Sequence, residues 1–304
     1  MSEALIELSD ALAEATERAA AHVAAVHSGP RGSSSGIVWR AGLILTADHA
    51  LNHDEEIHVT LPGQRVVRAA LAGRDAGTDL AVLKCPEASS PVAATGDAAS
   101  LAPGHIALAV GRTRVSGPVA ALGVVSLAVA ERKHWGGSAL SPYVRLDISL
   151  QPTAVGGAVV DARGSIVGLA TPRFARFGAV AIPTATMNRV TDVLLSRGHI
   201  PRGYLGVGLQ PVRLPAGFLA PSPRRAKTAV IVLDVAPASP AHNAGILIGD
   251  LILSIDGDEI QHPGDVHSTL GPESLGKTLS VELSRGGKAQ QVQVTVAERS
   301  SGES

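Results

Sequence analysis

The chain has 304 residues, 45% of them hydrophobic but only 2% aromatic, with 33 glycines, 19 prolines and a net charge of −1. That length suits about two domains, with a core built from Ala, Val, Leu and Ile and many turns between short strands. Near-neutrality without a basic, aromatic-interleaved stripe excludes nucleic acid as the main partner; the single Cys85 excludes an internal disulfide framework; and no apolar run reaches the roughly 18 residues of a membrane span.

Ser2 to about Ala20 reads as a helix. Ser2 caps it, acidic residues fill its first turns, and Leu5, Leu8, Leu12, Ala15 and Ala19 recur at alternating spacings of three and four. Fewer than three clean heptads make a poor coiled coil, so a helix lying on the body of the protein is expected ahead of an oligomer contact. Glu3, Glu7, Asp10, Glu14 and Glu17 precede the first basic residue. A secretory signal needs a positive start and an apolar centre. The expected location is therefore cytoplasmic, or periplasmic or otherwise extracytoplasmic if a leader has been removed.

From about His22 the pattern becomes short apolar runs broken by turn residues. Strands are expected at Ile37–Trp39, Gly42–Thr46, Ile57–Leu61, Val66–Leu71 and Leu80–Leu83. A second series follows at Ile106–Val110, Ala120–Ser126, Tyr143–Leu146, Ala158–Val160, Ile166–Leu169 and Ala179–Ile182. Two successive sets suggest two small barrels. Thr184 to Gly198 reads as a helix stopped by its glycine. Strands then resume at Val230–Val235, with short helices at Ser239-Pro240 and near Asp265 to Leu270. The closing strands, Leu279–Leu283 and Val292–Val296, are joined through a Gly286-Gly287 turn.

Three blocks carry chemical information. Leu45-Thr46-Ala47-Asp48-His49 lies in the first strand set, and Thr78-Asp79-Leu80-Ala81-Val82-Leu83-Lys84 closes it. Asp147-Ile148-Ser149-Leu150-Gln151-Pro152-Thr153-Ala154-Val155-Gly156-Gly157-Ala158-Val159-Val160-Asp161 lies in the second. In order and spacing they resemble the histidine, aspartate and nucleophile blocks of the HtrA (DegP-like) serine proteases. Gly123–Ser126 and Gly178–Pro183 also match that family, the latter resembling the strand that walls its specificity pocket. Arg202-Gly203-Tyr204-Leu205-Gly206-Val207 and Ile248-Gly249-Asp250-Leu251 resemble the PDZ domain that follows the protease domain there.

The resemblance implies a mainly β fold: a chymotrypsin-like double β-barrel followed by a PDZ domain, with a short N-terminal helix. The implied parts are the helix at 1–20, the double barrel at 21–198, the PDZ domain at 199–299 and a tail at 300–304. His49 and Asp79 would be the triad's base and its orienting carboxylate. The family's nucleophile loop reads Pro-Gly-Asn-Ser-Gly-Gly-Pro, and here Thr153, Ala154, Val155 and Ala158 stand at its Gly, Asn, Ser and Pro. Val155 has no nucleophilic atom, and losing the triad serine costs about a million-fold in turnover. Of the oxyanion loop, Thr153, Ala154 and Gly156, the first two are altered with it, and a β-branched Thr153 resists the positive φ that glycine tolerates. The expectation is a pseudoprotease that binds polypeptides or protein C-termini as adaptor, regulator or holdase in protein quality control.

Alternatives remain open. Thr153 could serve as a displaced nucleophile; the chain could instead be an inactive subunit paired with an active relative, or form a homo-oligomer. Ser165 sits in a turn and Ser149 on the incoming strand. In the PDZ segment the carboxylate loop would be Tyr204, Leu205, Gly206 and Val207, and Val266 and Leu270 would form the opposite wall. All but Tyr204 and Gly206 are aliphatic, which favours an aliphatic terminal side chain. No cofactor is implied, and His49, His53 and His58 fit no common zinc spacing, so no metal is expected.

Overall fold

The computed structural model describes residues 3–29, 33–51, 56–89, 93–129, 143–214 and 228–298. The chain divides into two compact units, with the change between Ile200 and Pro201. The expected tail at 300–304 lies outside the described residues, as does His53.

The first unit opens with helix α1, Glu3–Ala20. Its C-terminal half does the packing. Ala15, Ala19 and Ala20 are buried and Leu12 partly so, whereas Leu5 and Leu8, expected on the same apolar face, are exposed. A closed six-stranded barrel follows: β1 (Val23–Ser28), β2 (Ser33–Arg40), β3 (Leu43–Ala47), β4 (Ile57–Thr60), β5 (Val66–Asp75) and β6 (Leu80–Lys84), in the order β1-β2-β3-β6-β5-β4. A second closes from β7 (Ile106–Thr113), β8 (Gly117–Val129), β9 (Tyr143–Asp147), β10 (Ala158–Asp161), β11 (Ile166–Thr171) and β12 (Ala179–Pro183), in the order β10-β11-β12-β9-β8-β7. Strand β1 was absent from the expected set, and the first barrel needs it to close between β2 and β4.

The side-chain alternation of a strand explains why these runs are apolar throughout. On β6, Ala81 and Leu83 fill the first barrel while Leu80 and Val82 join a cluster shared with the second. On β10, Val159 fills the second barrel while Ala158 and Val160 join that same shared cluster. The two barrel interiors are filled by Ala, Val, Ile and Leu, a core with almost no aromatics. Helix α2, Thr184–Arg197, ends at Gly198 in the left-handed region (φ 76°). It is tied to β2 by Trp39 Nε1 donating to Asn188 (2.9 Å) and by Arg40 to Asp192 (2.6 Å).

The second unit contains β13 (Gly203–Tyr204), β14 (Val207–Arg213), β15 (Thr228–Val235), helix α3 (Pro240–Asn243), β16 (Leu251–Ile255), β17 (Asp258–Glu259), helix α4 (Pro263–Thr269), β18 (Thr278–Arg285), β19 (Lys288–Thr295) and β20 (Ala297–Glu298). Its main sheet runs β14-β15-β16-β18-β19, with β17 on β16 and a separate β13-β20 pair. Ser239 caps α3 by accepting from His242 N–H (3.2 Å). Gly286 and Gly287 both have positive φ, as a two-residue hairpin turn between β18 and β19 requires. Asp250, almost fully buried, anchors the segment entering β16 through Arg285 (2.7 and 2.8 Å) and Leu247 N–H (2.9 Å).

Candidate active site and peptide groove

β3 ends in a single 3-10 turn, Asp48–Ala50, which carries His49. Asp79 sits just before β6 with φ 57°, a left-handed conformation that a side-chain-bearing residue adopts at a cost of about 1–3 kcal/mol. The carboxylate is fully buried and fully used. It accepts from His49 Nδ1 (2.8 Å), from the His49 backbone N–H (3.0 Å) and from the Thr171 hydroxyl. The Asp79 carbonyl accepts from Asp48 N–H, and Arg74 pairs with the Asp48 carboxylate. Because the carboxylate only accepts, the His49 ring presents its Nδ1 N–H to it. Among the described residues no hydroxyl or thiol is hydrogen-bonded to that ring.

Val155 follows a second 3-10 turn, Pro152–Ala154. Its side chain is 7% exposed and belongs to the apolar cluster shared by the barrels. The loop satisfies its own main chain. Ala154 N–H donates to Gln151 (2.9 Å), Val155 N–H to Pro152 (3.2 Å), Gly156 N–H to Ala170 (2.8 Å) and Gly157 N–H to Ala154 (3.0 Å). The Ser35 hydroxyl donates to the Thr153 carbonyl (2.7 Å) and accepts from Arg112 N–H (2.8 Å), while Ser35 N–H donates to the Val155 carbonyl (2.7 Å). Gly156 carries the left-handed φ (79°), and a Cβ there would lie 2.3 Å from the Ser35 carbonyl. Thr153 lies in the 3-10 turn with no positive φ, and the loop's Ala154, Val155 and Gly157 amides are held by its own carbonyls. With Val155 N–H committed to Pro152, the loop presents no pair of inward amides to a developing oxyanion.

Three residues around this site carry no sequence mark. Thr171 completes the shell of Asp79, and Ser35 holds the loop. Arg112 is buried, which lowers its pKa, and it donates to the carbonyls of Val23 (2.5 Å) and Ala20 (2.7 Å). The Cys85 thiol is buried and its pKa is raised, first by desolvation and then by Glu87, which makes it a poor nucleophile. Among the described residues no three His, Cys, Asp or Glu side chains form a metal-sized group.

In the second unit Tyr204, Leu205, Gly206 and Val207 join β13 to β14. The Leu205 carbonyl accepts from Ala241 N–H and the Gly206 carbonyl from Ala236 N–H (both 2.9 Å), but among the described residues neither Leu205 nor Gly206 donates its own N–H. Successive amides without a described acceptor, beside a left-handed glycine (Gly206, φ 79°), are a feature that anion-binding nests share. Leu205, Val266 and Leu270 lie in the buried core of this unit, and Val207 is half-buried at its margin. The expected groove residues are therefore brought together, with only Tyr204 and Val207 of them partly open to solvent.

Comparison with known proteins agrees with this architecture. Residues 34–169 match a trypsin-like peptidase domain and residues 203–296 a PDZ domain. A probable periplasmic serine endoprotease DegP-like from Marinomonas sp. (strain MWYL1) is 31% identical over 268 residues, covering 86% of this chain and 56% of that protein. One from Brucella suis biovar 1 (strain 1330) is 29% identical over 279 residues, covering 89% and 53%. The chain thus spans little more than half the length of these curated relatives. Among solved structures, the HtrA-type protease AlgW with decapeptide superposes with a TM-score of 0.76 at 26% identity, over 95% of this chain and 98% of the other. The serine endoprotease from Yersinia pestis does so at 0.74 and 29%, over 95% and 98%. Among the described residues no helix is long and apolar enough to cross a membrane. A trypsin-like peptidase domain followed by a PDZ domain, on a double-barrel frame shared with these proteins, makes the chain a homologue of the DegP/HtrA serine endoproteases.

Proposed function

We propose that this homologue binds polypeptide without cleaving it. One observation carries the reading: the His49–Asp79 pair is assembled, yet the position that should offer it a hydroxyl is Val155, packed into apolar core on a self-satisfied loop. His49 and Asp79 then act as a satisfied buried pair that fixes the 3-10 turn after β3. Binding is assigned to the Leu205–Gly206 amides and the free edge of β14, with Tyr204, Val207, Val266 and Leu270 shaping a groove that prefers an aliphatic C-terminal side chain. AlgW, solved with a decapeptide, supports a peptide ligand. The proposed work is that of an adaptor, regulator or holdase. A cytoplasmic location gains no support from relatives named periplasmic, and we place the chain outside the cytoplasm.

The rival is cleavage through Thr153, a half-exposed residue with no hydrogen bond to His49 among the described residues. Purified protein offered casein and a serine-reactive fluorophosphonate, beside His49→Ala as control, distinguishes the two. No cleavage and no labelling above the control are expected. Casein cleavage that His49→Ala abolishes would establish a peptidase and overturn the proposal.

A further inference from the structure

The free edge of β14 changes character partway along. On the other side of that strand the Gly206 carbonyl accepts from Ala236 N–H. Val232, the cross-strand partner of Leu209, spends its N–H on Asp250 and its carbonyl on Gly249, both away from β14. Antiparallel ladders alternate, so the Gly206 carbonyl and the main-chain groups of 208, 210 and 212 are directed at β15, and those of 207, 209, 211 and 213 outward. Among the described residues no strand pairs with that outer side. Val207 and Leu209 each offer an N–H and a carbonyl there. Position 211 is proline, which has no N–H to offer.

We propose that Pro211 limits how many residues of a C-terminal tail the groove can read; the proposal rests on the peptide-binding reading above. The two free amides, Leu205 and Gly206, lie at the start of β14, so a carboxylate held there requires the incoming strand to run antiparallel to β14. Its terminal residue then faces Val207, the residue two before it faces Leu209, and the residue four before it faces Pro211. Up to Leu209 the new ladder is complete in both directions. At Pro211 the peptide's N–H still finds a carbonyl, but its own carbonyl meets ring carbons and loses the water it had. Extension past that point adds no full pair of hydrogen bonds. Side chains further upstream are therefore read weakly or not at all.

The test uses the full chain and calorimetry. A binder is selected from a library of free C-terminal octapeptides and then shortened one residue at a time from its N-terminus. For the natural chain, affinity should be flat from eight residues down to about four and fall steeply below. In Pro211→Val, which restores a donor on a free edge without touching the core, the five-residue and longer peptides should gain about three- to tenfold, the worth of one net hydrogen bond, and the three-residue peptide should be unchanged. Affinity that climbs steadily to eight residues in the natural chain would overturn the length limit while leaving peptide binding intact. A Pro211→Val chain that self-associates but binds every length as before would reduce Pro211 to edge protection and also overturn it. A library that yields no binder at all would overturn the groove reading and this inference together.

Discussion

At the scale of single residues, Val155 is a deletion of chemistry inside an otherwise assembled constellation. Restoring the hydroxyl alone is predicted to leave reactivity low, because the Ala154 and Val155 amides donate to Gln151 and Pro152. Val155→Ser is expected to react with a fluorophosphonate at least about a hundredfold more slowly than the Val155→Ser, Thr153→Gly double variant, since a missing oxyanion donor costs about that much or more. Equal rates of labelling in the two would show that Thr153 leaves the oxyanion site usable. Ser35→Ala should lower stability by roughly 1–3 kcal/mol in denaturant unfolding, because it orphans the buried Arg112 N–H and the Thr153 carbonyl together.

The position of Val155 was legible in the sequence, since Pro152, Gly156 and Gly157 hold the register on either side. Its surroundings were not. Ser35 lies 118 residues from Thr153, and Thr171 lies 92 from Asp79. Both meet their partners only because two barrels close against each other. Thr153, expected to resist a positive φ as a β-branched residue, has none, and the left-handed residue of the loop is Gly156.

Among the secondary-structure elements, β1 shows the same limit. Val23-Ala24-Ala25-Val26 is short, alanine-rich and adjacent to a helix, so its local pattern does not mark a strand. It becomes one by pairing with β2 and β4. It also carries a pH dependence. Burial lowers the pKa of His22, just before β1, and burial followed by Arg114 and His58 lowers that of His27, which is hydrogen-bonded to Thr60 (3.0 Å). A histidine with a lowered folded pKa is neutral in the fold and takes up its proton more readily when unfolded. The first unit should therefore lose stability as pH falls below about 6.5, read as a falling unfolding midpoint between pH 7.5 and 5. His27→Gln should flatten that slope, and an unchanged slope would assign it elsewhere.

The second unit has its own anchor between elements. Burial pushes the Asp250 pKa up, but the hydrogen bonds from Arg285 and Leu247 N–H outweigh it and hold the carboxyl below its ordinary value. Such a group stabilises the fold above the unfolded pKa of about 3.9 and loses its contribution as pH falls through its lower folded value. With Arg285 about a third exposed, Asp250→Asn should cost roughly 2 kcal/mol, less than a fully buried pair. The measurement is urea unfolding at neutral pH followed by a probe in the second unit.

For the whole molecule, the two units join opposite tendencies. The first keeps the frame of a peptidase and fills its reacting position with a hydrocarbon. Among the described residues the second keeps two amides without an acceptor and an unpaired strand edge. Order and spacing of motifs made the two domains readable from the sequence, while the strand parity on which the proposed length limit rests is supplied only by the paired sheet. The most direct measurement is to saturate the full chain with a selected C-terminal octapeptide, confirm binding by calorimetry, and follow the peptide's mass through prolonged incubation beside the His49→Ala variant. Stoichiometric binding with the peptide intact in both is the expected result; fragments that appear with the natural chain and vanish with His49→Ala would contradict it.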